Sequence, residues 1–97
     1  MPPTRRQIVP TPGETVLYRL TKLDAEQILS ERASYELRGN HVQQGMVFPA
    51  VIVRVWAAPD QANSLTACNL QVLLDGEDVH WVSSGTQGDD DGCWHAR

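Results

Sequence analysis

The chain is predicted to fold as an α+β domain: a small, bent, mostly antiparallel sheet or barrel of four or five strands, with one helix near residues 22–34 packed on it. Three observations carry this. Residues 46–56 (MVFPAVIVRVW) form the one long β-branched and aromatic run. A period-two segment at residues 15–20 leads directly into a capped helical pattern. Two alternating segments flank Asp75-Gly76, a pair that favours hairpins. With 97 residues the chain makes one domain with a modest core.

Residues 1–13 carry Pro2, Pro3, Pro10 and Pro12, which withhold backbone donors and favour extended conformations. They read as a proline-rich arm ahead of a single barrel-like domain at residues 14–97. In the first strand, Val16, Tyr18 and Leu20 alternate with Thr15, Leu17 and Arg19. Thr21 then caps a helix, with Asp24 at the third helical position, where an acid suits the free amides and the dipole. Ala25, Ile28, Leu29 and Arg32 share one helical face; Lys22, Glu26, Ser30 and Ala33 share the solvated one. Gly39-Asn40 and Gly45 mark turns in the connector, with a short strand expected at His41-Val42 between them.

In the central run Pro49 marks an edge, a bulge or a strand start. Val51, Val53 and Val55 are expected to face the interior, and Ile52, Arg54 and Trp56 to face an oligomer interface or a ligand. The next strand alternates Cys68, Leu70, Val72 and Leu74 against Ala67, Asn69, Gln71 and Leu73. An even-numbered loop at Asp75-Gly76 would set Val79 and Trp81 with the first stripe, leaving Asn69 and Gln71 on one face with His80 and Val82. From Ser83 on, three glycines and three successive aspartates predict a mobile acidic loop, closed by Cys93-Trp94-His95 with Trp94 folded back onto the sheet.

Charge and composition exclude several functions. Up to Arg38 there are six basic and five acidic side chains; beyond it, two basic and seven acidic, so the second part carries 2 − 7 = −5. Such a surface repels phosphate backbones and argues against general nucleic-acid binding. No apolar run is long enough for a membrane span, and two cysteines are too few for a secreted disulfide scaffold, so a cytoplasmic protein with reduced thiols is expected. Asp89-Asp90-Asp91-Gly92 lacks the alternating ligands and closing glutamate of a calcium loop. Cys93, His95, His80 and His41 lack the paired spacings of a zinc site. Ser83, Ser84, His80 and Asp78 form no nucleophile elbow. No catalytic residue, metal or cofactor is assigned.

The segments TVLYRLTKLDAEQI, GNHVQQGMVFPAVIVRVW, NLQVLLDGEDVHWVSS and GCWH resemble a group of small uncharacterised proteins encoded by phages and prophages of actinobacteria. Those tend to end in Trp-His-Trp-Pro, whereas here Trp94-His95 is followed by Ala96-Arg97. The resemblance implies a phage origin, action in the host cytoplasm or in the virion, and an SH3-like small barrel; it carries over no activity.

The remaining functional expectation is a binding surface built from Arg54, Trp56, Asn69, Gln71, His80 and Trp81. Amides read polar edges, arginine offers a fork for phosphate, and indoles give stacking planes. One version is a homo-oligomer that sequesters a small nucleotide signal of host defence. The other is a virion component or an inhibitor that docks on a host protein.

Overall fold

A computed structural model describes residues 6–97. The elements run β1 (Thr15–Arg19), α1 (Lys22–Tyr35), β2 (Val47–Val55), β3 (Cys68–Leu73), β4 (Val79–Gln87) and β5 (Cys93–His95). The strands close into a barrel in the order β1-β2-β3-β4-β5. The fold is therefore the expected α+β one, and its small closed barrel is consistent with the SH3-like kind. All pairings are antiparallel except β4 with β5, where Thr86 opposes Cys93 and Gln87 opposes Trp94. A parallel pair normally needs a long crossover. Here only two residue pairs meet, so a tight loop through Gly92, at φ 83°, suffices.

Period two in β1 buries Val16, Tyr18 and Leu20, as predicted. The Thr21 cap also forms as predicted: the Asp24 amide donates to Thr21 Oγ1 (2.9 Å) and the Thr21 amide to Asp24 Oδ2 (2.9 Å). The helix attaches by Ala25, Ile28 and Arg32, while Leu29 is exposed. Gly45, at φ 87°, turns the connector into β2. Residues 41–42 form no strand. Val42 is buried there, and among the described residues the connector's one β-pairing is an isolated bridge between Gly39 and Gly76.

Pro2 and Pro3 lie outside the described residues. Farther along the arm the chain lies on its own barrel. Gln87 brackets Ile8, accepting from its amide (3.0 Å) and donating to its carbonyl (2.9 Å), and the Gly13 amide donates to the Ile52 carbonyl (2.7 Å).

Two face assignments differ from the sequence reading, in β2 and in the β3–β4 hairpin. In β2 the interior residues are Phe48, Ala50 and Ile52, not Val51 and Val53. The register against β3 shifts between Ile52 and Arg54, so Val53 is an extra residue and parity flips there. Beyond this bulge Val55 turns toward the core and Arg54 and Trp56 face outward. In β3 and β4 the partners are Leu73 with Val79, Gln71 with Trp81, Val72 with His80 and Leu70 with Val82. The loop between them is thus odd, not even. Asn69 and Gln71 do not share a face with His80 and Val82, which point inward.

The loop is odd because it is held from outside the hairpin. Asn40 donates its amide to the Asp75 carbonyl (2.8 Å) and Glu77 its amide to the Arg38 carbonyl (2.8 Å), so the connector adds itself to the loop. Below them the buried Arg32 guanidinium binds Asp78 through Nε (2.8 Å) and Nη2 (3.1 Å), and the Asn40 carbonyl through Nη1 (2.7 Å). Glycine is required at 39 and 76: a Cβ at Gly39 would overlap that guanidinium, and one at Gly76 would stand 2.7 Å from Gly39 Cα. Finally, residues 83–87 continue β4 instead of joining the acidic loop, and residues 93–95 become the strand that closes the barrel. Trp94 is fully buried at this closure and donates Nε1–H to the Gly85 carbonyl (3.1 Å), as its expected return to the sheet requires.

Candidate functional site

The outer face of β2, β3 and β4 is the site these registers create. Val51, Gln71 and Trp81 stand in one cross-strand row, and Leu73 and Val79 in the next. Trp56 and Trp81 are 52% and 56% exposed, and Val47, Val53, Leu73 and Val79 are between 37% and 51% exposed. Roughly half of two indoles and four aliphatic side chains in water amounts to on the order of 500 Å² of apolar area, at the upper end of what lone monomers show. Scattered exposed leucines elsewhere need no explanation. A set on one sheet face does.

At one end of this face Arg54 lies over the Trp56 ring, 4.9 Å from its centroid. The pairing shields part of the indole while leaving the guanidinium edge free for an acceptor. Trp56 is oriented from below: its Nε1–H donates to Asn69 Oδ1 (2.9 Å), which also accepts from the Ser84 amide (2.9 Å). Asn69 sits where the β3–β4 register shifts as well, and Ser84 takes a left-handed φ of 58° beside it. One buried amide oxygen thus ties both irregularities together. Its role is to position Trp56, not to read a ligand.

His80, another predicted contact, is buried on the inner side. Its Nε2 is 2.8 Å from Asp24 Oδ1, and Tyr18 Oη donates to Asp24 Oδ2 (2.6 Å). Burial alone would raise the Asp24 carboxyl, but hydrogen bonds from His80, Tyr18 and Thr21 outweigh it and hold the group well below the usual carboxylate range. Burial first, and the bond to Asp24 second, push the Tyr18 phenol far above its ordinary value. An ionised Asp24 only accepts, so His80 Nε2 carries the proton in this bond.

A cleft of about 400 Å³ opens over this triad, lined by Tyr18, Asp24, His80, Trp81, Ser83 and Ser84 among others. No arginine or lysine lines it. Among the described residues His80 makes no hydrogen bond to Ser83 or Ser84, so the base-to-nucleophile contact of covalent catalysis is not formed.

The six predicted residues therefore separate. Arg54, Trp56, Gln71 and Trp81 are on the outer face, Asn69 lies beneath it, and His80 belongs to the interior triad, touching the cleft that Trp81 borders. Sequence reasoning missed Val47, Val53, Leu73 and Val79 on the outer face, and Tyr18 and Asp24 within. The only sign of the former was that both faces of β2 and β3 are rich in apolar residues. Among the described residues no three His, Cys, Asp or Glu side chains gather as a metal site, and no helix is long and apolar enough to cross a membrane.

Fold and site together define a small closed α+β barrel with a largely apolar, aromatic outer sheet face that carries Arg54 at one end. No protein family, curated protein or solved structure matches the chain.

Proposed function

We propose that this chain is a non-enzymatic docking protein that binds a protein partner through the outer face of β2, β3 and β4. The observation that carries this is the exposed set Val53, Trp56, Leu73, Val79 and Trp81 on one face. Aromatic anchors with an arginine at the rim are what protein interfaces concentrate. Taken with the resemblance to small phage-encoded proteins, the role is that of a virion component or an inhibitor of a host protein. The rival role, capture of a nucleotide, draws less support. Arg54, the cation expected to meet phosphate, does not line the cleft that His80 and Trp81 share.

The three tryptophans provide the test. Protein labelled with 5-fluorotryptophan gives one fluorine resonance each for Trp56, Trp81 and Trp94, assigned by single Trp→Phe substitutions. Purified particles, host extract fractions and a nucleotide panel are then added separately. Docking predicts that a macromolecular fraction broadens Trp56 and Trp81 and leaves buried Trp94 in place, and that Trp81→Ser removes the response. A response of Trp81 to a nucleotide alone, with none to any macromolecule, would overturn the reading in favour of capture.

A further inference from the structure

We infer that the first occupant of this outer face is a second copy of the same chain, packed sheet to sheet about a two-fold axis that passes near Gln71. The inference rests on the docking reading and names its partner.

Three features select a second copy. The first is area. The apolar side chains contribute on the order of 500 Å² and the half-buried Val51 and Gln71 add on the order of 100 Å², so two copies would bury about 1,200 Å², the low end of specific interfaces and the size of a weak, concentration-dependent dimer. The second is charge. The protein carries a net charge of −4, so two copies repel unless they meet where no acid stands. Val51, Val53, Gln71, Leu73, Val79 and Trp81 are such a surface, and the nearest cation, Arg54, stands at its end on Trp56.

The third is Gln71 itself. It is the one polar side chain in the central row, between Val51 on β2 and Trp81 on β4. Among the described residues its amide makes no hydrogen bond, whereas the amide of Asn69, two residues earlier, is engaged by two donors. A primary amide is its own complement: across a two-fold axis each carbonyl oxygen accepts from the other amide's N–H. A hydrophobic face with one self-complementary amide at its middle is satisfied by its own copy. Sheets packed this way sit about 10 Å apart, a spacing that interdigitating valine, leucine and tryptophan side chains fill.

Sedimentation velocity across a low- to high-micromolar range tests this. The wild-type chain is expected to shift from monomer to dimer with concentration. Gln71→Glu and Gln71→Lys each place like charges at the axis and weaken dimerisation by about tenfold or more. Mixing the two in equal amounts restores it, because the pair now has opposite charges. Trp81→Ser lowers dimerisation as well. Gln71 is on the surface, so both charged variants should keep the wild-type urea transition, which is measured alongside. A wild-type chain that stays monomeric throughout, a dimer indifferent to Gln71 and Trp81, or a Glu/Lys mixture that fails to pair overturns the inference. A monomer whose Trp56 and Trp81 resonances still respond to a macromolecule sinks self-pairing alone; a monomer whose resonances stay silent sinks docking altogether.

Discussion

Substituting Asp78 by alanine should unfold this protein more readily than any surface change. The Arg32 and Asp78 side chains are 8% and 10% exposed, with Nε–Oδ2 at 2.8 Å and Nη2–Oδ1 at 3.1 Å. The hydrogen bonds to Asp78 outweigh burial and push the Arg32 pKa further up, so the guanidinium keeps its charge. Removing the carboxylate strands that charge with only the Asn40 carbonyl, a loss of about 3–5 kcal/mol for a buried pair broken on one side. A domain of this size has about 5–15 kcal/mol in total. Each kcal/mol moves the midpoint by roughly 4–8 °C, so Tm should fall by about 12–40 °C. Urea unfolding followed by tryptophan fluorescence measures the loss, since Trp94 leaves a fully buried site. Two controls separate the mechanism from loss of any side chain. Glu77→Ala breaks a neighbouring pair whose arginine is 88% exposed, and should leave the midpoint nearly unmoved. The double substitution Arg32→Met with Asp78→Leu removes both charges together and should recover most of the loss. An Asp78→Ala cost below about 1 kcal/mol, the size of an ordinary substitution, would refute the clamp.

Other predictions follow from the same contacts. Gly76→Ala forces a Cβ to 2.7 Å from Gly39 Cα and should cost about 1–3 kcal/mol, read in the same urea experiment. Because the Asp24 carboxyl is held below its usual range when folded, its contribution is complete above the ordinary aspartate value near 4 and is lost as pH falls below that toward the folded pKa. Stability should therefore drop between about pH 4 and pH 2, and Asp24→Asn should flatten that fall while lowering stability at pH 7. Cys68 is fully buried, with its thiol pushed up to about 11 by burial, so a thiol-specific reagent at pH 8 should label partly exposed Cys93 first and Cys68 only at the rate of unfolding. Equal labelling rates at the two thiols would contradict this burial.

Local patterns made much of the fold legible. Period two marked β1, the Thr21–Asp24 box marked the helix start, the Cys68, Leu70, Val72 stripe marked the inner side of β3, and Trp94 was too large and apolar to leave in water. The interior side of β2 was not legible, because residues 50–53 are all apolar and only the bulge at Val53 decides which are buried. The parity of the β3–β4 loop was not legible either. The groups that set it are distant in sequence: Asp24 is 56 residues from His80 and Arg32 is 46 from Asp78. For the candidate site, residue types were read better than their roles. Arg54, Trp56, Gln71 and Trp81 are exposed together on the sheet. Asn69 and His80 looked like free polar groups because nothing local shows that Trp56, Ser84 and Asp24 already occupy them.

The exposed face follows from that parity. If the β3–β4 loop were even, Val79 and Trp81 would point inward, and burying Trp81 would gain about 1.5–3 kcal/mol by area. His80 would then point outward, leaving the partly buried Asp24 at the cleft without the ring that helps keep its carboxyl ionised, and Asp78 would leave the buried Arg32. A stranded buried charge costs several kcal/mol, more than the tryptophan gains. The Arg32–Asp78 ion pair and the His80–Asp24 hydrogen bond therefore fix His80 inside and place Trp81 outside. An indole held in water by constraints on the opposite side of the strand is not a packing failure; it is available, on the same outer face as Trp56, for whatever covers it. Shortening the loop by one residue tests the trade directly. Deleting Glu77 should yield a protein that is less stable than wild type even though it has an opportunity to bury Trp81, and recovery of full stability with Trp81 shielded from iodide quenching would refute the ordering of these energies.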